Sequence, residues 1–172
     1  MERCTNCRLP AQAGVETILY SFTNGQEGNT PIGGVAIDSH GNLFGTTAYG
    51  GLPAGIGTAW ELSPAGGQWT FTTLVQFSGS EGAEGSNATP TLDAAGNIYG
   101  TLLTGANYGE VFKLSPSGGG WRENFYTFNS SNGEQPVGGV SLDSAGNIYG
   151  TTVAGGNQNC SGGCGVVFEV TP

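Results

Sequence analysis

The chain has 172 residues, of which 33 are Gly, 13 are Asp or Glu and only four are Lys or Arg, and its net charge is −9. Such an acidic surface repels phosphate backbones, so nucleic-acid binding is not expected. No stretch approaches about 18 consecutive apolar residues, and membrane insertion is not expected either. Abundant glycine and scarce charge exclude long amphipathic helices, and the composition predicts an all-β protein.

Residues 1–15 are predicted to form an N-terminal tail, which contains the first pair of cysteines, Cys4 and Cys7. The second pair, Cys160 and Cys164, lies near the other end of the sequence. The spacing leaves open a zinc site of four thiolates, free thiols, or disulfides. Disulfides are favoured because the composition is typical of extracellular β proteins. They would either close each pair locally or join the two pairs to each other.

Residues 16–172 are predicted to form one domain built from a repeated unit. A strand at 16–22 opens it, and three similar segments follow at about 31–77, 88–128 and 136–172. Each segment contains Asp-x-x-Gly-Asn-(Leu or Ile)-aromatic-Gly-Thr, and later a strand that reaches Ser-Pro or Thr-Pro. A pattern that recurs about every 50 residues indicates a repeat architecture.

Each unit is predicted to contain four short antiparallel strands. The first is small and apolar and ends at the Asp, after which Asp and Gly form a tight turn into the second strand. The third strand alternates, as at residues 111–114, and Ser-Pro is expected to end it. The fourth begins at Trp69 or Trp121 and reaches Phe77 or Phe128. This arrangement predicts an all-β, β-propeller-like fold of three four-stranded blades.

Asp38, Asp93 and Asp143 occupy the same turn position in the three units, and we expect them to stabilise the turn by accepting hydrogen bonds. Calcium binding is the alternative, but one Asp and one Asn per turn are few for an ion that takes about six to eight oxygen ligands. His40 lies in the first of these turns, where the other two units have alanine. It is predicted to be a turn residue, because the chain has no second histidine to build a catalytic or metal triad.

Loop glutamates are the remaining candidates for catalysis, and they are Glu27, Glu81, Glu84 and Glu134. Two of them could act as the acid and base of a glycosidase, but the sequence fixes no separation between them, and solvated loop charge is favoured. Trp69 and Trp121 could stack on sugar rings, although packing between blades is favoured. We expect no catalytic residue, no metal site and no cofactor, and the chain is predicted not to be an enzyme.

The repeat resembles the bacterial GloVer tandem-repeat family, whose members carry various C-terminal anchors and in which Gly-Asn-Leu-Tyr-Gly-Thr-Thr and Gly-Thr-Val-Phe-x-Leu-Thr-Pro recur. The matching stretches are 41–47 with 57–64, 96–101 with 109–116, and 146–152 with 165–172. The resemblance covers residues 16–172 and implies a secreted or surface-anchored β-propeller-like protein. It implies no particular activity, and the sequence shows no anchor after Pro172.

The phase of the repeat predicts self-association. The domain opens with a strand of the fourth type, and its last unit stops after a third strand, whereas propellers usually close with about four to eight blades. We expect one copy to complete the last blade of another, giving a six-bladed ring or, if the rotation does not close, a filament. The donor residues would be Ile18, Leu19, Tyr20 and Phe22, and the acceptor residues Val166, Val167, Phe168 and Val170.

Two functions are therefore expected in order of preference. The first is a secreted, extracellular or cell-surface structural or binding module whose partner is a second copy of the chain. The second is an extracellular carbohydrate-binding or carbohydrate-active propeller whose partner is a glycan. The opening residues lack the apolar stretch of a signal peptide, so an excerpt of a longer gene product is an alternative to a mature exported chain.

Overall fold

The computed structural model describes residues 14–23, 25–51, 55–77, 87–104 and 108–171. Within these ranges the chain is all-β, without helices, and forms three antiparallel sheets of four, four and three strands. In each sheet the strands pair in chain order, so each sheet is one blade of the predicted β-propeller-like fold. The tail cysteines Cys4 and Cys7 and the glutamates Glu81 and Glu84 lie outside the described residues.

The blades have matching elements. Blade 1 consists of β1 (Ala36–Ile37), β2 (Leu43–Thr46), β3 (Thr58–Ala65) and β4 (Gln68–Gln76). Blade 2 consists of β5 (Thr91–Leu92), β6 (Ile98–Leu102), β7 (Glu110–Ser117) and β8 (Gly120–Thr127). Blade 3 consists of β9 (Ser141–Leu142), β10 (Ile148–Thr151) and β11 (Val167–Val170), and it has no outer strand among the described residues.

The glycine of the repeated aromatic-Gly-Thr pattern is required by a close side-chain approach. Gly45, Gly100 and Gly150 each pair across the sheet with a large aromatic residue of the third strand, respectively Trp60, Phe112 and Phe168. A β-carbon at these glycines would lie 2.2 Å, 2.4 Å and 2.4 Å from the ring of the partner. The aromatic ring therefore lies flat over the glycine in every blade, which explains why the two residue types recur together.

The third strand does not end at Ser-Pro, so that prediction was wrong. β3 continues through Pro64, which pairs with Trp69, and β7 continues through Pro116, which pairs with Trp121. β2 pairs with β3 only as far as Leu62, so Pro64 lies in a two-stranded hairpin with one free edge. Proline is tolerated there because its missing N–H removes no hydrogen bond from a neighbouring strand. The strands end instead at Gly-Gly turns with positive φ, which suit a two-residue hairpin.

Neighbouring blades pack through two hydrophobic clusters. Phe77 and Phe112, whose ring centroids are 5.3 Å apart, lie in the cluster between blades 1 and 2. Phe128 and Phe168, 5.0 Å apart, lie in the cluster between blades 2 and 3. The other buried members of the first cluster are Phe44, Ala59, Val75, Ile98, Leu102 and Leu114, and those of the second are Tyr99, Val111, Val140 and Ile148.

Residues 14–23, called here the leading segment, contain no strand, although the sequence predicted one at 16–22. A β-strand needs a neighbour to take its backbone hydrogen bonds, and no described strand pairs with this segment. The segment packs on blade 1 through its side chains instead. The role of its residues toward a second copy stays a prediction.

Candidate interface at the two ends of the blade array

The leading segment covers one side of blade 1 with aromatic rings. The Tyr20 ring stacks on Phe71 with centroids 4.1 Å apart and planes 12° apart. Phe22 meets Trp60 edge-on, with centroids 5.8 Å apart and an angle of 63°. Such aromatic pairs contribute about 0.5–1.5 kcal/mol beyond the area they bury. The segment is therefore fixed on blade 1 although it forms no β-sheet hydrogen bonds.

The same ring arrangement occurs where the outer strand of blade 2 meets blade 3. Tyr20 and Phe22 are 5.2 Å apart at 87°, and Tyr126 and Phe128 are 5.4 Å apart at 84°. Phe22 meets the third-strand aromatic of blade 1 at 63°, and Phe128 meets that of blade 3 at 62°. Phe22 thus has the position that Phe128 takes at the end of β8.

The backbone that follows repeats as well. Thr30 and Gln135 both have φ of 58°, which is unusual for residues other than glycine. Ala48 donates its N–H to the Thr30 carbonyl at 3.0 Å, and Val153 donates to the Gln135 carbonyl at 3.1 Å. Tyr20 and Phe22 therefore make the ring contacts of Tyr126 and Phe128, and residues 29–30 repeat the backbone contacts of residues 134–135. Tyr126 belongs to the outer strand β8.

At the other end of the array, β11 is the last strand of its sheet. Val167 pairs with a threonine of the second strand, as Ala59 and Val111 do in blades 1 and 2. Val167 is 82% exposed, whereas Ala59 is 1% and Val111 is 2% exposed. The equivalent position is thus buried wherever another blade follows and open where none is described.

The first strand of blade 1 shows the complementary exposure. Val35 is 48% exposed, and its equivalent in blade 3, Val140, is 6% exposed because blade 2 covers it. Ile37, two positions further along and within β1, is exposed as well. Each end of the array thus exposes an apolar position, Val167 or Val35, whose equivalent is buried at a junction between two blades.

The three Asp turns have nearly identical geometry. In blade 2, Asp93 Oδ1 accepts the backbone N–H groups of Ala95 at 2.9 Å and Asn97 at 3.0 Å, and Oδ2 accepts the Asn97 side-chain amide at 2.7 Å. The Tyr99 hydroxyl donates to the same Oδ2 at 2.9 Å. Asp38 and Asp143 accept equivalent backbone and Asn hydrogen bonds.

These hydrogen bonds set the ionisation of the turn. Partial burial opposes ionisation of Asp93, but the bonds from Asn97, Tyr99 and Ala95 outweigh it, and the pKa of its carboxyl lies below the usual 3.8. The pKa values of Asp38 and Asp143 are lowered too. Burial, followed by the bond to Asp93, raises the pKa of Tyr99 to about 12.

Two of the candidate catalytic residues, His40 and Glu27, make contacts with residues close to them in sequence. His40 is exposed, with Nδ1 3.5 Å from Asp38 Oδ2 of its own turn. Glu27 accepts the backbone N–H of Thr23 at 2.9 Å. Among the described residues, no three His, Cys, Asp or Glu side chains form a group that could hold a metal ion.

The two tryptophans of the outer hairpins are half-buried. Trp121 packs against the cluster between blades 1 and 2, and with Leu74 it lines a groove between these blades. Trp69 faces Pro64 across its hairpin.

Cys160 and Cys164 form a disulfide in the loop that precedes β11. The Cys164 N–H also donates to the Asn157 carbonyl at 3.0 Å, so the loop is closed by a covalent bond and a hydrogen bond. Both sulfur atoms are used in the bridge, which leaves no thiolate here for a zinc site. In the part of the chain that the structure describes, no helix is long and apolar enough to cross a membrane.

Sequence reasoning missed two sets of contacts. The stacking of Tyr20 on Phe71 has no counterpart in the other blades, because β8 carries Glu123 where β4 carries Phe71. The Tyr99 and Tyr149 hydroxyls bind the turn carboxylates, and the recurrence of Tyr six residues after Asp was a signal that could have predicted this.

Comparisons with known proteins agree with the repeat architecture. Neither the curated proteins nor the solved structures contain a match to this chain. A family model described as the Gloeobacter/Verrucomicrobia repeat matches residues 3–172. Since this match covers nearly the whole sequence, the chain belongs to the Gloeobacter/Verrucomicrobia repeat family.

Proposed function

We propose that the chain is an extracellular structural or binding module that associates head to tail with further copies of itself. In each junction the leading segment of one copy pairs with the outer edge of β11 of another, and blade 1 of the first copy packs on blade 3 of the second. The partner is a second copy of the chain, and the module has no catalytic role.

One observation carries this proposal: Tyr20 and Phe22 make the ring contacts of Tyr126 and Phe128, but no described strand pairs with them. At β8 the equivalent residues hydrogen-bond to β7, the third strand of the same blade, since Val111 pairs with Tyr126 and Glu110 with Thr127. The same register applied to β11 places Tyr20 beside Val167 and Ser21 beside Val166. The leading segment has no described strand to pair with, and β11 has an outer edge with no described strand beside it.

The exposed apolar positions support the same pairing. Burying one aliphatic side chain favours association by about 1.5–3 kcal/mol. Val167 on one end and Val35 and Ile37 on the other are exposed in a single copy. A junction built like those inside the chain would cover all three. The Cys160–Cys164 disulfide supports an extracellular setting, because disulfides persist mainly in oxidising compartments.

Three blades per copy favour a closed pair. Propellers close with about four to eight blades, and the only multiple of three in that range is six. Two copies would therefore complete a ring with two identical junctions. If the blade rotation does not close after six blades, the same junction extends into a filament.

Light scattering over a concentration series tests the proposal directly. We expect a discrete species of twice the 17.4 kDa mass of one chain, or a mass that grows with concentration if the assembly is open. Mass exchange between differently labelled copies should show that the junctions are reversible. A folded species that keeps the mass of one chain at every concentration up to the millimolar range would overturn it.

A further inference from the structure

A groove lies between the outer strands of blade 2 and the open edge of blade 3. It has a volume of about 430 Å³. Phe125 and Tyr126 of β8 line one side, and Ile148 and Val170 of blade 3 line the other. Lys113 and Arg122 also line it, and they are the only basic residues in the chain apart from Arg3 and Arg8. The groove is therefore lined by apolar side chains and by two positively charged ones.

The equivalent space between blades 1 and 2 is occupied in part by the outer strand of blade 2, beside the groove that Leu74 and Trp121 line. Trp121 and Phe125 of β8, four residues apart, both pack against the cluster between these blades. Leu74 of blade 1 packs against the same cluster. Blade 2 therefore packs on its junction with blade 1 through two side chains of its outer strand. Blade 3 has no such strand among the described residues, and the groove is the corresponding space.

We infer that this groove is a binding site for two aliphatic side chains, Val15 and Leu19, of a docked leading segment from a second copy. This inference rests on the proposed function and specifies how the junction recognises its partner. Matching Phe22 to Phe128 puts Leu19 at the position of Phe125 and Val15 at that of Trp121. The groove thus recognises an extended strand with apolar residues at positions i and i+4.

In the docked segment, which would be a strand, alternation separates these two side chains from the ones that hold the segment on its own blade. Successive side chains of a β-strand point to opposite sides, so Val15 and Leu19 share one side and Tyr20 and Phe22 share the other. Tyr20 and Phe22 already contact blade 1 of their own copy. Val15 is 92% exposed, whereas Leu19 is 39% exposed and also borders a space against Trp60 and Phe71 of its own blade.

Charge and continuity also favour this occupant. Glu16 is the only charged residue of the leading segment, so a segment with one negative charge meets a groove with two positive ones. The groove is bounded by β11, whose edge is the one that the proposed junction pairs. Docking there extends the existing blade-to-blade packing by one more strand.

The first test disables each half of the junction separately. Leu19→Lys puts a cation beside Lys113 and Arg122 and removes an aliphatic contact, and Asn124→Trp fills the groove from β8, where Asn124 lines it. Each variant should keep the thermal transition of the wild type and lose at least about 100-fold in self-association constant. Val137→Lys, at an exposed valine outside the groove in the loop before β9, is the charge control and should associate like the wild type.

Mixing the two variants decides whether the site and its occupant have been assigned correctly. Leu19→Lys keeps an open groove and Asn124→Trp keeps an intact leading segment, so their mixture should form a one-to-one complex held by one junction. If the wild type associates but the variants associate equally well, or if the mixture of folded variants stays monomeric, the groove assignment is wrong and the proposed function stands. A wild type that is monomeric throughout would overturn both.

Discussion

Blades 2 and 3 share the same first three strands, the same Asp turn and the same glycine under an aromatic ring, but they differ in what surrounds them. Val111 and Val167 occupy equivalent positions in the third strand, and only Val111 has another blade over it. Phe112 is fully buried, whereas Phe168 retains 8% exposure. The difference shows that burial in this repeat is set by neighbouring units, while the local sequence sets only the strand and its register.

The largest effect should come from placing a charge at these two valines. Val111→Asp buries a carboxylate in a closed junction and should lower the free energy of unfolding by more than about 4 kcal/mol. Val167→Asp leaves the carboxylate in solvent and should cost less than about 0.5 kcal/mol. Urea unfolding at low protein concentration measures both. Equal losses would mean that Val167 is covered within a single copy.

Filling the space between the glycine and the aromatic ring should also destabilise blades 2 and 3 unequally, but the difference should be smaller than that between the two valines. Gly100→Ala forces a methyl group against Phe112, which cannot move because it is enclosed, and should cost about 3 kcal/mol. Gly150→Ala should cost about half as much, because Phe168 lies in the blade with an open edge.

Gly120→Ala is the matched control for this pair. It adds the same methyl group where the nearest atom is 4.0 Å away, and the thermal midpoint should hardly change. A loss at Gly150→Ala as large as that at Gly100→Ala would show that blade 3 is packed as tightly as blade 2.

The Asp turns should make the fold sensitive to acid. Since the pKa values of Asp38, Asp93 and Asp143 are lowered in the folded protein, their stabilising effect is present above the usual 3.8 and is lost as pH falls through the folded values. Asp93→Asn should lower the free energy of unfolding by about 1–2 kcal/mol at neutral pH. It should also reduce the loss of stability below pH 4 by about one third, because one of the three Asp turns no longer titrates. Urea unfolding at several pH values checks this. An unchanged acid dependence would show that other carboxyls control it.

The smallest expected effect concerns the tyrosine of the blade 2 turn. The pKa of Tyr99 is about 12, so this tyrosine should ionise later than an ordinary one at 10.0. Its contribution to stability is present below pH 10.0 and is lost as pH rises toward 12. Ultraviolet titration should show the late phase, and Tyr99→Phe, which copies Phe44 of blade 1, should reduce it. Part of it should remain, because the pKa values of Tyr20 and Tyr149 are raised as well. A titration unchanged by Tyr99→Phe would contradict the assignment.

Much of this fold could be predicted from the sequence because each signal was local and repeated. The Asp-x-x-Gly-Asn turn and the alternating third strand require only neighbouring residues, and both recur in the structure with the same pairing. The end of the third strand was predicted wrongly because proline was taken as a stop. Its tolerance depends on a free edge beyond Leu62, and pairing of that kind is not visible in one strand alone.

The placement of the leading segment could be predicted only in part. The similarity of Phe22 to Phe128 indicated an outer strand, and the structure gives both phenylalanines the same contact with a third-strand aromatic. That the segment packs on blade 1 without strand pairing depends on Phe71, which has no aromatic equivalent in the other repeats. The groove beside β11 could not be predicted, because it results from residues that lie far apart in sequence.

The match of Tyr20 and Phe22 to Tyr126 and Phe128 has a consequence for circular permutation. Residues 14–23 could be moved behind β11 through a two-glycine hairpin like the one at residues 66–67. Blade 3 would then be complete within one chain. In such a permutant the backbone hydrogen bonds that we propose between two copies would form within one molecule.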